Sequence, residues 1–184
     1  MQLDSSDKNR DVSRKVYVVH GRNLLIKEAM YAFLQALGLQ PITKEAAVNW
    51  TEEGTPFVGH VIDTAFEHAQ AVIILFTGED MARLRKDLRH DQDTSNEKDF
   101  SPQPRSDQIF EAGYAFGRFP KRTILIRVGH LRLFSDIAGR YALSFTGKED
   151  ERQDLINRLK SVGCTLEYDG DLWRSAGDFT SALR

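Results

Sequence analysis

Ala71-Val72-Ile73-Ile74-Leu75-Phe76-Thr77 is the most apolar run of the chain. Seven residues rich in Val and Ile are too short for an ordinary helix. Hydrophobicity that is continuous rather than alternating marks a strand covered on both faces, as at the centre of a parallel sheet. Outward from it, the same continuity recurs in Val16-Tyr17-Val18-Val19 and in Thr123 to Val128, with shorter strands expected at Gln40 to Thr43 and Tyr141 to Phe145. Between them apolar residues return at helical spacing. Leu24, Leu25, Ala29, Phe33, Leu34 and Leu37 precede a capping Gly38. Val58, Val61, Ile62, Ala65 and Phe66 follow Phe57, and two more amphipathic stretches span Asp107 to about Arg118 and Asp150 to Val162. Strand and helix alternate, so the fold class is α/β, a parallel sheet of about five strands with helices on both faces.

The 184 residues suit one domain rather than two, and 41% hydrophobic with 28% charged residues is a globular composition. Residues 1 to 14 carry only Met1, Leu3 and Val12 as apolar members and read as a disordered tail. A single domain is expected over 15 to 184, with a C-terminal extension from about Cys164 anchored by Leu166, Trp173 and Phe179. Twenty-five basic against 27 acidic residues leave a net charge of -2, which argues against a nucleic-acid partner or a polybasic membrane surface. No run reaches a membrane span and the N-terminus lacks the apolar core of a signal peptide, so a cytoplasmic protein is expected. One cysteine excludes an internal disulfide framework.

Three stretches resist periodic reading. Lys44 to Pro56 reads as a shaped loop, Glu79 to Leu88 as a short helix, and Arg83 to Arg105 as a solvated, charged excursion. Loops after strands are where an open α/β sheet places its ligand. Gly21 permits close backbone approach, and Arg22 at a helix N-terminus offers a donor for phosphate or carboxylate; the plain alternative is a tight turn with a solvated arginine. Neither a Walker A loop nor a dinucleotide fingerprint is present. Glu111, among Phe110, Ala112 and Gly113, is a carboxylate on an apolar helix. It either lines a cleft, where it stabilises positive charge or binds sugar hydroxyls, or pairs with Arg105 or Arg118. Trp50 and Phe57 flank Gly54 and either stack on a ring or cover the core. The five histidines show no metal-ligand spacing, and the Asp91, Asp93, Ser95, Glu97 alternation lacks the glycine a calcium loop needs, so no metal is expected.

Five blocks occur in order: Val18-Val19-His20-Gly21-Arg22-Asn23, Gly54-Thr55-Pro56-Phe57-Val58-Gly59, Leu75-Phe76-Thr77-Gly78-Glu79-Asp80 with Ala82-Arg83-Leu84-Arg85, Ile109-Phe110-Glu111-Ala112-Gly113, and Phe134-Ser135-Asp136-Ile137-Ala138-Gly139-Arg140. Together they resemble bacterial TIR-like proteins, described as nucleotide-binding, among them the TIR effectors of Pycsar-type antiphage systems. The resemblance runs from about Lys15 through Cys164. It implies a flavodoxin-like fold and cleavage of the nicotinamide-ribose bond of NAD+, with NAD+ as substrate rather than cofactor. It puts the catalytic role on Glu111 and substrate contacts on His20, Gly21, Arg22, Trp50, Gly54, Thr55, Phe57, Thr77, Asp80, Arg105 and Asp107. It also implies self-association through the loop bearing Gly54 to Phe57, and a separate sensor or activating partner.

The chain departs from its relatives in two places. Phe76-Thr77-Gly78-Glu79-Asp80 stands where they have Leu-Thr-Pro-Asp-Asp, and Arg105-Ser106-Asp107-Gln108 where they have Arg-Pro-Asn-Val, which puts a carboxylate in place of an amide near Glu111. Two alternatives remain beside NAD+ cleavage: a non-catalytic module for nucleotide binding or TIR-TIR contact, and an enzyme acting on free nucleosides.

Overall fold

The computed structural model describes residues 12–132 and 139–182. Along the chain run β1 (Lys15–Val19), α1 (Leu24–Ala36), β2 (Gln40–Ile42), α2 (Lys44–Trp50), α3 (Val58–Glu67), β3 (Ala71–Thr77) and β4 (Asp80–Ala82). They are followed by α4 (Ser95–Lys98), β5 (Ser101–Gln103), α5 (Ser106–Arg118), β6 (Thr123–Val128), β7 (Leu143–Ser144), α6 (Glu149–Ser161), α7 (Leu172–Ser175) and α8 (Phe179–Ala182). Five strands form one parallel sheet in the order β2-β1-β3-β6-β7, the flavodoxin-like arrangement.

Every residue of β3 is buried. Its pleat sends Ala71, Ile73 and Leu75 to one face, where Val16, Val18, Ile124 and Ile126 join them against α1, α6 and the C-terminal segment. Val72, Ile74 and Phe76 face the opposite core with Tyr17, Val19 and Leu125, beneath Val61, Ile62, Ala65 and Phe66 of α3 and Ala112 and Ala115 of α5. Continuous hydrophobicity thus has its expected cause in two covered faces.

Two segments differ from the sequence reading. The expected loop from Lys44 begins instead with α2, started by the Thr43 side chain accepting from the Ala46 amide, and irregular chain is confined to the residues before α3. The expected helix from Glu79 to Leu88 is β4 followed by one 3-10 turn at Lys86–Leu88. β4 pairs antiparallel with β5, Met81 opposite Pro102, and this partner lies about twenty residues downstream, beyond the reach of local periodicity. The charged excursion is correspondingly ordered: Thr94 and Glu97 form a capping box, and the Arg83 guanidinium lies 4.1 Å from the Phe100 ring centroid.

The C-terminal segment is held by Arg152. This buried cation on α6 donates to the carbonyls of Gly147, Trp173, Ala176 and Gly177 and lies over the rings of Phe33 and Phe179. Gly177, at φ +79°, presses so closely on the Ala29 carbonyl that a Cβ would collide with α1. At the other end, Ser13 and Arg14 are already engaged before β1: the Ser13 carbonyl accepts from the Thr165 amide, and Arg14 pairs with Glu167 at 2.8 Å. The expected tail otherwise falls on residues 1–11, outside the described residues.

Replacing Arg152 by Ala strips four carbonyls of a charged donor in the interior. The variant is expected to lose about 3–5 kcal/mol of stability, read by urea unfolding, with the C-terminal segment becoming the first site of limited proteolysis.

Candidate functional site

The sheet order places its switch point between β1 and β3, where ligand crevices of open α/β sheets lie. Here the end of β1, the start of α2 and α3, and the first turns of α5 enclose a cleft of about 180 Å³, lined among others by His20, Tyr31, Lys44, Asp107 and Glu111. Larger hollows exist, but this one gathers ionisable side chains at the carboxyl edge of the sheet.

Glu111 reaches the cleft because α5 is pinned on either side of it. Buried Gln108 donates from Nε2 to the Leu75 carbonyl at 3.1 Å, while its Oε1 accepts from the Arg105 amide. Ala112 and Ala115 seat the next turn on the core. Helical spacing sets Asp107 one turn before Glu111 on the same face. Burial, reinforced by the Asp107 carboxylate, pushes the Glu111 carboxyl up to about 7, and Lys44 opposes the rise. The pairing alternative for Glu111 does not occur. Arg105 pairs with Asp107 at 3.2 Å, and Arg118 reaches Asp63 and Glu67. Lys44, Tyr17 and Tyr31 were invisible as cleft residues in the sequence. Lys44 was hidden because its segment read as loop, although Thr43 as a helix N-cap was the available signal.

Gly21 and Arg22 occupy the expected loop, yet the donors there are already used. The Glu79 carboxylate accepts from the backbone amides of Arg22 at 2.6 Å and Asn23 at 3.0 Å and from the Thr77 hydroxyl at 2.6 Å. A Cβ on Gly21 would collide with that carboxylate. The absent Cβ leaves room for the close approach the sequence suggested, but the anion approaching is the protein's own. Burial alone would raise the Glu79 carboxyl. The hydrogen bonds from Thr77, Arg22 and Asn23, with Arg105 nearby, outweigh it and hold the group below the usual carboxylate range. His20 donates from Nδ1 to the Gly21 carbonyl at 2.8 Å, which fixes the ring at the cleft wall.

The remaining expected contacts are dispersed. Arg105 and Asp107 join Glu111 at the start of α5. Trp50 is turned away, stacked on His68 with centroids 4.6 Å apart and packed on the core. Gly54 and Thr55 are exposed on the chain between α2 and α3, and Phe57, 79% exposed, lines a separate apolar groove of about 490 Å³ with Phe110 and Tyr114. Thr77 is buried at the end of β3, and Asp80 stands in β4 opposite Gln103. In the charged stretch from Asp91 to Glu97, Asp93 caps the His90 amide and Glu97 serves the capping box. The expected block from Phe134 to Arg140 lies mostly outside the described residues.

The Glu79 clasp carries a pH signature. Because its folded carboxyl titrates below its unfolded value, its stabilisation is present at neutral pH and is lost as pH falls through the folded pKa. Glu79→Gln is expected to cost about 1–2 kcal/mol at pH 7, after allowance for solvent screening, and to differ little from the parent in acid-range urea melts.

Comparison with known proteins agrees with this geometry. The family model of the CAP12/Pycsar effector protein TIR domain matches residues 15–147. Protein tirC of Dictyostelium discoideum is 23% identical over 150 residues, covering 78% of this chain and 70% of that protein. No solved structure matches. No helix among the described residues is long and apolar enough to cross a membrane. A match over more than half of the chain, on a parallel sheet in the order β2-β1-β3-β6-β7, means that this chain belongs to the CAP12/Pycsar effector TIR-domain family.

Proposed function

We propose that this chain is a NAD+ glycohydrolase that releases nicotinamide and leaves ADP-ribose or a cyclic form of it, acting as an effector in antiphage defence. The observation that carries the reading is the half-buried Glu111 carboxyl in the cleft at the β1–β3 switch point.

The chemistry asks for one well-placed carboxylate. The bond between ribosyl C1′ and the pyridinium nitrogen breaks, its electron pair leaves with nicotinamide, and C1′ acquires oxocarbenium character. A carboxylate fixed at that centre stabilises the developing charge and accepts from the ribose hydroxyls. Nicotinamide departs neutral, so no acid is needed to protonate it. Water then adds to C1′ and loses its proton to give ADP-ribose; capture by an adenine nitrogen gives the cyclic product instead. Glu111 and Asp107 make the cleft acidic, which suits a cationic pyridinium ring and a cationic transition state.

A second reading, a non-catalytic module that contacts other TIR domains, is favoured by one observation. Phe57, Val58 and Phe110 are exposed together beside the apolar groove at the start of α3. It predicts assembly without turnover.

Glu111→Gln is expected to lower nicotinamide release by about 10²-fold or more in the assembled protein, with the fold retained by circular dichroism. Equal release by the two proteins excludes the catalytic role. The reactive form is the ionised carboxylate, so kcat should rise with pH through about 7. Asp107→Asn removes a charge that raises the Glu111 carboxyl and should move this rise toward lower pH.

A further inference from the structure

We propose that Lys44 is the phosphate-binding residue of the cleft, taking the 5′-phosphate of the ribosyl unit whose C1′ faces Glu111. The inference rests on the glycohydrolase reading for the identity of the ligand, but its two structural grounds are independent of the reaction.

The first ground is what the α1 N-terminus already holds. In this fold the β1 loop and the helix behind it supply amides for an anion. Here the Arg22 and Asn23 amides both donate to Glu79, with the Thr77 hydroxyl completing the set, and the carboxylate fills the space beside Gly21. A ligand phosphate placed there would meet a carboxylate held in its ionised state. The two amides at this helix start are occupied by the protein's own carboxylate.

The second ground is where the free cation lies. Among the residues lining the Glu111 cleft, Lys44 is the one lysine or arginine. Its side chain is exposed, and its ammonium has no ion-pair partner among the described residues. It still acts on the site electrostatically, opposing the rise of the Glu111 carboxyl. The cleft therefore carries both signs of charge on different elements, with the Asp107 and Glu111 carboxyls on α5 and the Lys44 ammonium at the start of α2. A nicotinamide ribotide has matching polarity, with a cationic ring on C1′ and an anionic phosphate on C5′. At about 180 Å³ the cleft is smaller than the ~300 Å³ and upward typical of sites that enclose a whole drug-sized ligand. It suits the reacting half of the substrate, with the phosphate at its mouth against the exposed lysine and the second nucleotide outside.

Nicotinamide mononucleotide and nicotinamide riboside differ only in the 5′-phosphate, so their affinity ratio isolates it. Calorimetry of both ligands on the full chain is expected to show the parent preferring the mononucleotide. Lys44→Ala should reduce that preference about tenfold or more, and Lys44→Arg should keep most of it. Any effect of Lys44 on Glu111 ionisation reaches both ligands alike and cancels in the ratio. An unchanged ratio in Lys44→Ala, or a ratio lost in Arg22→Ala instead, overturns the proposal. Failure of the glycohydrolase reading is seen separately, as absence of nicotinamide release from NAD+ by the parent protein, and leaves the ratio measurable.

Discussion

The structure depends on the complete burial of β3. A seven-residue strand with no exposed side chain can exist only if its backbone is paired on both edges and its faces are covered by helices. From this follow the neighbours β1 and β6, the α1 and α6 layer on one side and the α3 and α5 layer on the other. The carboxyl end of β3 is thereby brought beside that of β1. The β3 terminus then serves two purposes: Leu75 accepts from Gln108 and so orients α5, and Thr77 donates to Glu79 and so closes the β1 loop.

The two acidic groups at this end of the sheet are set in opposite directions by their surroundings. Glu79 receives three donors and stays ionised; Glu111 receives burial and a like charge and is pushed up toward neutrality. A carboxylate satisfied by backbone amides is a clasp. A carboxyl in a cleft, with its charge only partly stabilised, has capacity left for a cationic ligand. The same residue type thus supports the loop in one place and faces the cleft in another. Burying Glu111 carries a stability cost that grows as pH rises above the ordinary carboxylate range and is complete above about 7.

Much of the fold was legible because it is governed by local periodicity. The β1, β3 and β6 runs and the α1 and α5 faces all express apolar residues at strand or helix spacing. What escaped reading depends on distant partners. β4 is a strand because β5 returns to pair with it, and Trp50 is turned from the cleft because His68 offers its ring. Arg152 stands among many charges on α6, and only the carbonyls delivered by the C-terminal segment show it to be a core residue.

The sequence by itself determined the fold class and the family likeness and singled out Glu111 as a candidate, because each is written in short blocks whose chemistry is local. It marked Gly21 as a point of close approach without revealing what approaches. Only the tertiary structure decided that the approaching anion is Glu79, that Asp107 and Lys44 bear on Glu111 with opposite sign, and that Arg105 and Arg118 do not neutralise it. The physical reason is that electrostatic environment depends on distance through space and on burial, and neither is encoded by neighbours along the chain.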